Sequence, residues 1–247
     1  MPAEDIKNYD IHQLRELASH LREEMIGAVR ESGGHLSSNL GAVELILALY
    51  KAFDFPHDKL IFDVGHQAYA HKLITGRSLA GLRTAGGVSG FPDPAESEYD
   101  AFIAGHSGNS VAAGLGFCAA RDLRGENYKV ICCIGDASLA NGTALEAVFA
   151  SEKKPKNFFE RCGFKYVGPV DGHDLTELVG VLTELAKIDE PILLHAVTVK
   201  GKGMPEAESD PSRYHGVGKN FAQADHSFST ALGRLLCARA GEDASLV

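Results

Sequence analysis

The chain has 247 residues, of which 45% are apolar and 23% charged, and a formal net charge of −9. That profile suits a soluble protein with one large α/β domain and a full core, and the acidic balance argues against nucleic acid or an anionic membrane as partner. No stretch nears the roughly 20 apolar residues of a membrane span. The polar, acidic start Met1-Pro2-Ala3-Glu4-Asp5 is unlike a signal peptide, which points to a cytoplasmic location.

Asp10 is placed to cap a helix over about residues 11–30, with Leu14, Leu17, Leu21 and Met25 on one face. Gly33 to Ser38 reads as a loop, and Gly41 to Phe53 as a second apolar-striped helix. Leu60 to Val64 is a short buried strand, after which Gly65 opens a helix to about Thr75. Residues 84–99 form a Gly/Pro loop long enough to suspect function. Gly105-His106-Ser107 starts a small-residue helix running to about Arg124. Val130 to Ile134 is an apolar run of the kind that forms a buried parallel strand, and a helix over about Asn141 to Ser151 follows it. Lys165 to Val167 is a short strand, Asp174 caps a helix to about Lys187, and Ile192 to Val199 is a strong strand. Residues 200–226 are a Gly/Pro/charged connection, and Phe228 to Ala240 reads as a helix. Strands alternating with helices predict an α/β fold with a doubly wound, mostly parallel sheet. The five cysteines (118, 132, 133, 162 and 237) contain no C-x-x-C pair and read as reduced core residues.

The chemistry concentrates at strand ends. Gly135-Asp136 ends the 130–134 strand and puts a carboxylate where open α/β sheets bind ligands. A carboxylate beside a helix amino end suits Mg²⁺ bridging protein and diphosphate. Three Gly-His pairs, Gly34-His35, Gly65-His66 and Gly105-His106, recur in the same order of secondary structure. A single pair would be loop punctuation. Three of them, together with Gly135-Asp136, predict one polar pocket at the carboxyl edge of the sheet. Zinc is the rival for clustered histidines, but none has the short spacing of a zinc motif.

The exact wording resembles the 1-deoxy-D-xylulose-5-phosphate synthases. The resemblance is carried by Gly33-Gly34-His35-Leu36, Leu40 to Leu45, Asp63 to Lys72 and Gly87 to Pro92. It continues through Ser97 to Asp100, Gly105-His106-Ser107, Phe164 to Asp174 and Lys200 to Gly203. It implies the diphosphate-binding domain of a transketolase-like enzyme that uses thiamine diphosphate and Mg²⁺. Such an enzyme condenses pyruvate with glyceraldehyde 3-phosphate and releases CO₂, and its product feeds isoprenoid and cofactor synthesis.

Carried over position by position, the resemblance makes Asp136 a Mg²⁺ ligand and lays Ala137 and Ser138 along the diphosphate. Gly105, His106, Ser107 and His66 become cofactor-binding residues. His35 and His215 become catalytic histidines near the reacting carbon, a role that suits imidazole near neutral pH. Three departures stand out. Ala137 replaces a glycine, Met204 replaces a tyrosine that touches the cofactor, and a strand carrying Asn-Asp-Asn is missing near residues 157–158. On this reading residues 1–220 are the thiamine-diphosphate domain, and 221–247 are a linker and the first helix of a truncated second domain. The glutamate that activates the cofactor ring belongs to that second domain, so the chain is expected to be inactive alone. Completion by a carboxyl-terminal part carried on a partner chain is one expectation, and the resemblance also implies a homodimer. The others are a non-catalytic decayed or trimmed fragment and the amino-terminal subunit of a split transketolase.

Overall fold

The computed structural model of the chain describes residues 3–103, 105–149, 159, 162–222, 228–243 and 245. A 22-residue helix, α1 (Ile11–Ser32), comes first. Its start is a capping box: Asp10 accepts from the Gln13 N–H at 2.8 Å, and the Gln13 side chain accepts from the Asp10 N–H at 2.9 Å. Leu14, Leu17, Leu21 and Met25 are buried along one face, with Val29 extending the stripe. The helix predicted over 41–53 is α3 (Val43–Ala52), and a short helix not predicted, α2 (Ser37–Gly41), precedes it from the end of the expected loop, with Ala42 between them. The division lets α2 turn toward the site while α3 stays in the core.

Strand β1 (Lys59–Phe62) pairs in parallel with β2 (Val130–Cys133), Lys59 opposite Val130 and Phe62 opposite Cys133. Between them lie α4 (Tyr69–Ile74) and α5 (Ser110–Arg124). After β2 come α6 (Asp136–Leu139) and α7 (Gly142–Phe149). A second parallel pair follows, β3 (Lys165–Asp171) with β4 (Ile192–Val197), linked by α8 (Leu175–Leu185). The alternation of strands and helices predicts one doubly wound sheet. Among the described residues the structure has two separate parallel pairs. Lys129 spans them, bonding the Ile188 carbonyl at 3.1 Å and pairing with Asp189. Both pairs have the strand–helix–strand parallel connection expected of a wound α/β fold.

One continuous core joins α1, α3, α4, β1 and α8. The chain ends with α9 (Pro205–Ser209) and α10 (Phe228–Glu242). On α10, Phe228, Leu232, Leu235 and Leu236 are exposed. All five cysteines are free, as expected, but only Cys162 is buried; Cys118, Cys132 and Cys133 are half-buried and Cys237 on α10 is exposed. The expected break near residues 157–158 falls outside the described residues. No described helix is long and apolar enough to cross a membrane.

Candidate active site at the carboxyl edge of the first strand pair

Because β1 and β2 run parallel and in register, the segments that leave them emerge on one edge. Asp63 follows β1 and is buried. Its carboxylate accepts from the Gly108 N–H at 2.9 and 3.0 Å and from the Ser110 N–H at 3.1 Å. Gly105 donates its N–H to the Val64 carbonyl at 2.8 Å. Gly108 has φ +86, and a Cβ there would meet the Asn141 side chain at 2.6 Å. The turn of Gly105, His106 and Ser107 is therefore clamped between the end of β1 and the residues just before α7.

Two expected helix starts are corrected. His106 does not head α5, which begins at Ser110; His106 sits exposed in the preceding turn. His66 does not head α4, which begins at Tyr69 after Val64 and Gly65 have both turned to positive φ. In each case a distant side chain caps the true start. Asp63 serves the Ser110 N–H, and Asn39 Oδ1 accepts from the Tyr69 N–H at 2.8 Å. Asp136 opens α6 with Ala137 and Ser138 behind it. Its carboxylate is exposed, and no hydrogen bond or ion pair engages it among the described residues.

Three of the predicted histidines meet directly. Ring centroids lie 5.2 Å apart for His35 and His66, 5.6 Å for His35 and His215, and 5.3 Å for His66 and His215. Ser38 joins the group, its Oγ 3.1 Å from His66 Nε2 and 3.3 Å from His215 Nδ1. Burial, then the neighbouring His66 ring, pushes His35 down to about 4. Burial and the His215 and Lys200 charges do the same to His66, also to about 4. Burial and Lys200 lower His215 as well. The three rings are thus uncharged near neutral pH, able to donate and accept protons without repelling one another. His35 Nδ1 and His66 Nδ1 are buried without a hydrogen-bond partner among the described residues.

Two segments frame these rings. The 84–100 loop brings Phe91 to 6.0 Å from His35 and lays Pro92 on Gly65, where a Cβ would stand 2.5 Å from Pro92 Cδ. Buried Asp100 pins that loop. It accepts from Arg77 at 2.6 and 2.8 Å, from His71 at 2.7 Å and from the Asp93 N–H at 2.7 Å. Burial alone would raise the Asp100 carboxyl, yet His71 and Arg77 hold it well below the usual carboxylate range. The segment carrying His215 crosses from the other side. Gly34 and Val217 exchange backbone hydrogen bonds at 2.8 and 2.9 Å, and the Ser37 N–H donates to the Tyr214 carbonyl at 3.0 Å.

Sequence reasoning missed Ser38, Asn39, Asp63 and Phe91. The Ser37-Ser38-Asn39 run beside His35 and the aspartate ending an apolar strand were the available signals. Phe91 gave none beyond its place in a suspect loop.

A model of the 1-deoxy-D-xylulose-5-phosphate synthase amino-terminal region matches residues 1–158 and, in a second piece, 149–198. A 1-deoxy-D-xylulose-5-phosphate synthase of Clostridium kluyveri is 36% identical over 324 aligned residues, covering 98% of this chain and 52% of the relative. One from Thermus thermophilus is 40% identical over 284 residues, covering 86% and 46%. The chain therefore spans about half the length of these relatives. Both alignments are longer than the chain's 247 residues. Among solved structures, a transketolase of Campylobacter jejuni superposes with a TM-score of 0.70 at 24% identity, covering 84% of this chain and 41% of that one. A Pichia stipitis transketolase mutant gives 0.64 at 17% identity. At those identities the likeness is one of fold.

Proposed function

Because the chain belongs to the 1-deoxy-D-xylulose-5-phosphate synthase family, we propose that it forms the diphosphate-side domain of a thiamine-diphosphate-dependent transferase acting on pyruvate and glyceraldehyde 3-phosphate. The observation that carries this reading is the uncharged cluster of His35, His66 and His215. It lies against the strand edge from which Asp136 emerges.

The residues suit the organic cofactor. Two buried ring nitrogens, His35 Nδ1 and His66 Nδ1, have no hydrogen-bond partner among the described residues, so their bonding capacity is unused by the protein. In this reading His66, Gly105, His106 and Ser107 hold the cofactor, with Ala137 and Ser138 along its diphosphate. Thiamine diphosphate, when bound, supplies a stabilised carbanion centre. His35 and His215 move protons at their ring nitrogens, and Ser38 Oγ gives His215 Nδ1 a fixed neighbour. The exposed Asp136 carboxylate suits Mg²⁺ in charge and hardness. No group of three or more metal ligands gathers among the described residues, so diphosphate and water oxygens would complete the shell.

The interruption is read as the loss of an Asn-Asp-Asn strand near residues 157–158. The family match in two pieces and the alignments longer than the chain support it. A strand lost there removes one metal oxygen, so these 247 residues by themselves are expected to make no deoxyxylulose phosphate. In this reading carboxyl-terminal residues, in a longer chain or on a partner, complete the enzyme. The two strand pairs, unjoined among the described residues, favour a second reading, a non-catalytic remnant of the same family.

A titration with thiamine diphosphate and Mg²⁺ tests the site, read by the ring ¹⁵N resonances of the histidines. Shifts at His35 and His66 are expected, with exposed His12 as an unaffected control. Unchanged His35 and His66 resonances at millimolar cofactor overturn the assignment. Turnover by the 247 residues that disappears in His35→Ala overturns the inactivity but supports the roles.

A further inference from the structure

The segment that carries His215 starts at Val199, and its near end is fastened by side chains far from it in sequence. Glu44 on α3 is buried, and its Oε2 accepts from Arg22 Nη2 at 2.7 Å and from His173 Nδ1 at 3.0 Å. His173 Nε2 stands 2.8 Å from the Val199 nitrogen. A peptide N–H can only donate, so Nε2 is the acceptor there. The other ring nitrogen then carries the proton and donates it to a carboxylate, which can only accept. The two bonds together lock His173 in a single neutral tautomer. Burial would raise the Glu44 carboxyl, but the bonds from His173 and Arg22 outweigh it and bring it down to about 2.

Arg22 extends the fastening along the turn. Its Nε donates to the Lys202 carbonyl at 2.8 Å and its Nη2 to the Leu40 carbonyl at 3.1 Å. A Cβ on Gly203, at φ +86, would fall 2.8 Å from Arg22 Cδ, and one on Gly41 would fall 2.8 Å from the Val199 carbonyl oxygen. Gly201 donates its N–H to the Ser37 carbonyl at 2.8 Å. The 199–203 turn is therefore seated on α2, next to the residue that bridges His66 and His215. The far end is held by the Gly34–Val217 bridge.

We propose that Arg22, Glu44 and His173 form a positioning network that sets the register of residues 199–217 and thereby places His215 against His35 and His66. None of the three touches the rings. They act through the Val199 N–H and the Lys202 carbonyl. The proposal deepens the functional reading above and rests on it only for the chemistry His215 performs.

Two substitutions at one position separate positioning from plain stabilisation. His173→Gln keeps an acceptor where Nε2 lies, and His173→Asn keeps only a donor where Nδ1 lies. Hydrogen exchange at the Val199 amide is expected to rise about tenfold in His173→Asn, as for a lost hydrogen bond, and to stay near wild type in His173→Gln. The ring ¹⁵N resonances of His215 should move in His173→Asn alone. Unchanged Val199 exchange and His215 resonances in His173→Asn overturn the proposal, as does equal disturbance in both variants. If His173→Asn does not fold, Glu44→Gln takes its place, with an increase in Val199 exchange expected and its absence overturning the proposal. Neither readout uses cofactor or substrate, so a chain without synthase chemistry passes or fails on the same terms.

Discussion

At the residue scale, three imidazoles within 5.6 Å of one another are compatible with the fold only while they are uncharged. His35 and His66 both titrate near 4 in the folded chain, against an ordinary 6.5. Between those values the unfolded chain binds more protons than the folded one, so stability rises with pH. The corresponding expectation is a melting temperature that falls as pH drops from about 6.5 toward 4. Glu44 adds to the loss as pH falls from its ordinary 4.5 toward about 2. Thermal unfolding monitored across this range checks the slope, and its blunting in a His35→Ala, His66→Ala double variant assigns it. A wild-type melting temperature that stays flat from pH 7 to pH 4 contradicts the uncharged cluster. His35 and His66 were legible as Gly-His pairs, and His215 only through the family resemblance. Their neutrality was not, because it comes from burial and, for His66 and His215, from Lys200, 134 positions after His66 in sequence.

At the element scale, the site is assembled by segments held from a distance. The 84–100 loop lacks regular structure, yet Asp100 anchors it through Arg77 and His71. His71 donates from Nε2 to Asp100 and accepts from the Tyr50 hydroxyl at Nδ1, 2.7 Å away. Asp100→Asn removes the close carboxylate partner of the partly buried Arg77 and leaves it only the longer 3.5 Å pair with Glu96. We expect it to lower stability by ~3–5 kcal/mol, the cost of breaking a buried pair from one side. Urea denaturation measures this as a lower midpoint at unchanged slope. A shift under about 1 kcal/mol would show that the loop is held by Pro92 packing instead. The same remoteness explains the misplaced helix starts. α1 was legible because its cap, Asp10, is adjacent to its first turn. α4 and α5 were not, because Asn39 and Asp63 supply their caps from other elements.

At the scale of the whole molecule, the described residues form two parallel strand pairs where one sheet is expected. With one carboxylate at the edge and the Asn-Asp-Asn strand read as lost, calorimetry is expected to give thiamine diphosphate a dissociation constant well above the micromolar range. A micromolar complex requires roughly 8 kcal/mol. A micromolar, Mg²⁺-dependent affinity that vanishes in Asp136→Ala would show that another oxygen has replaced the lost one. Local pattern alone determined the wound α/β class, the apolar face of α1 and strands near 60–64 and 130–134, because neighbouring residues there match the period of a helix or a strand. The Gly-His and Gly-Asp words were legible as contiguous motifs that resemble one family. Only the tertiary structure decided which histidines meet, why they are uncharged and what holds them. It brought His35, His66 and His215 together while leaving His106 exposed in its turn. The physical reason is that caps, buried ion pairs and close glycine contacts join residues tens to hundreds of positions apart. Such pairings leave no period in the chain for a sequence to display.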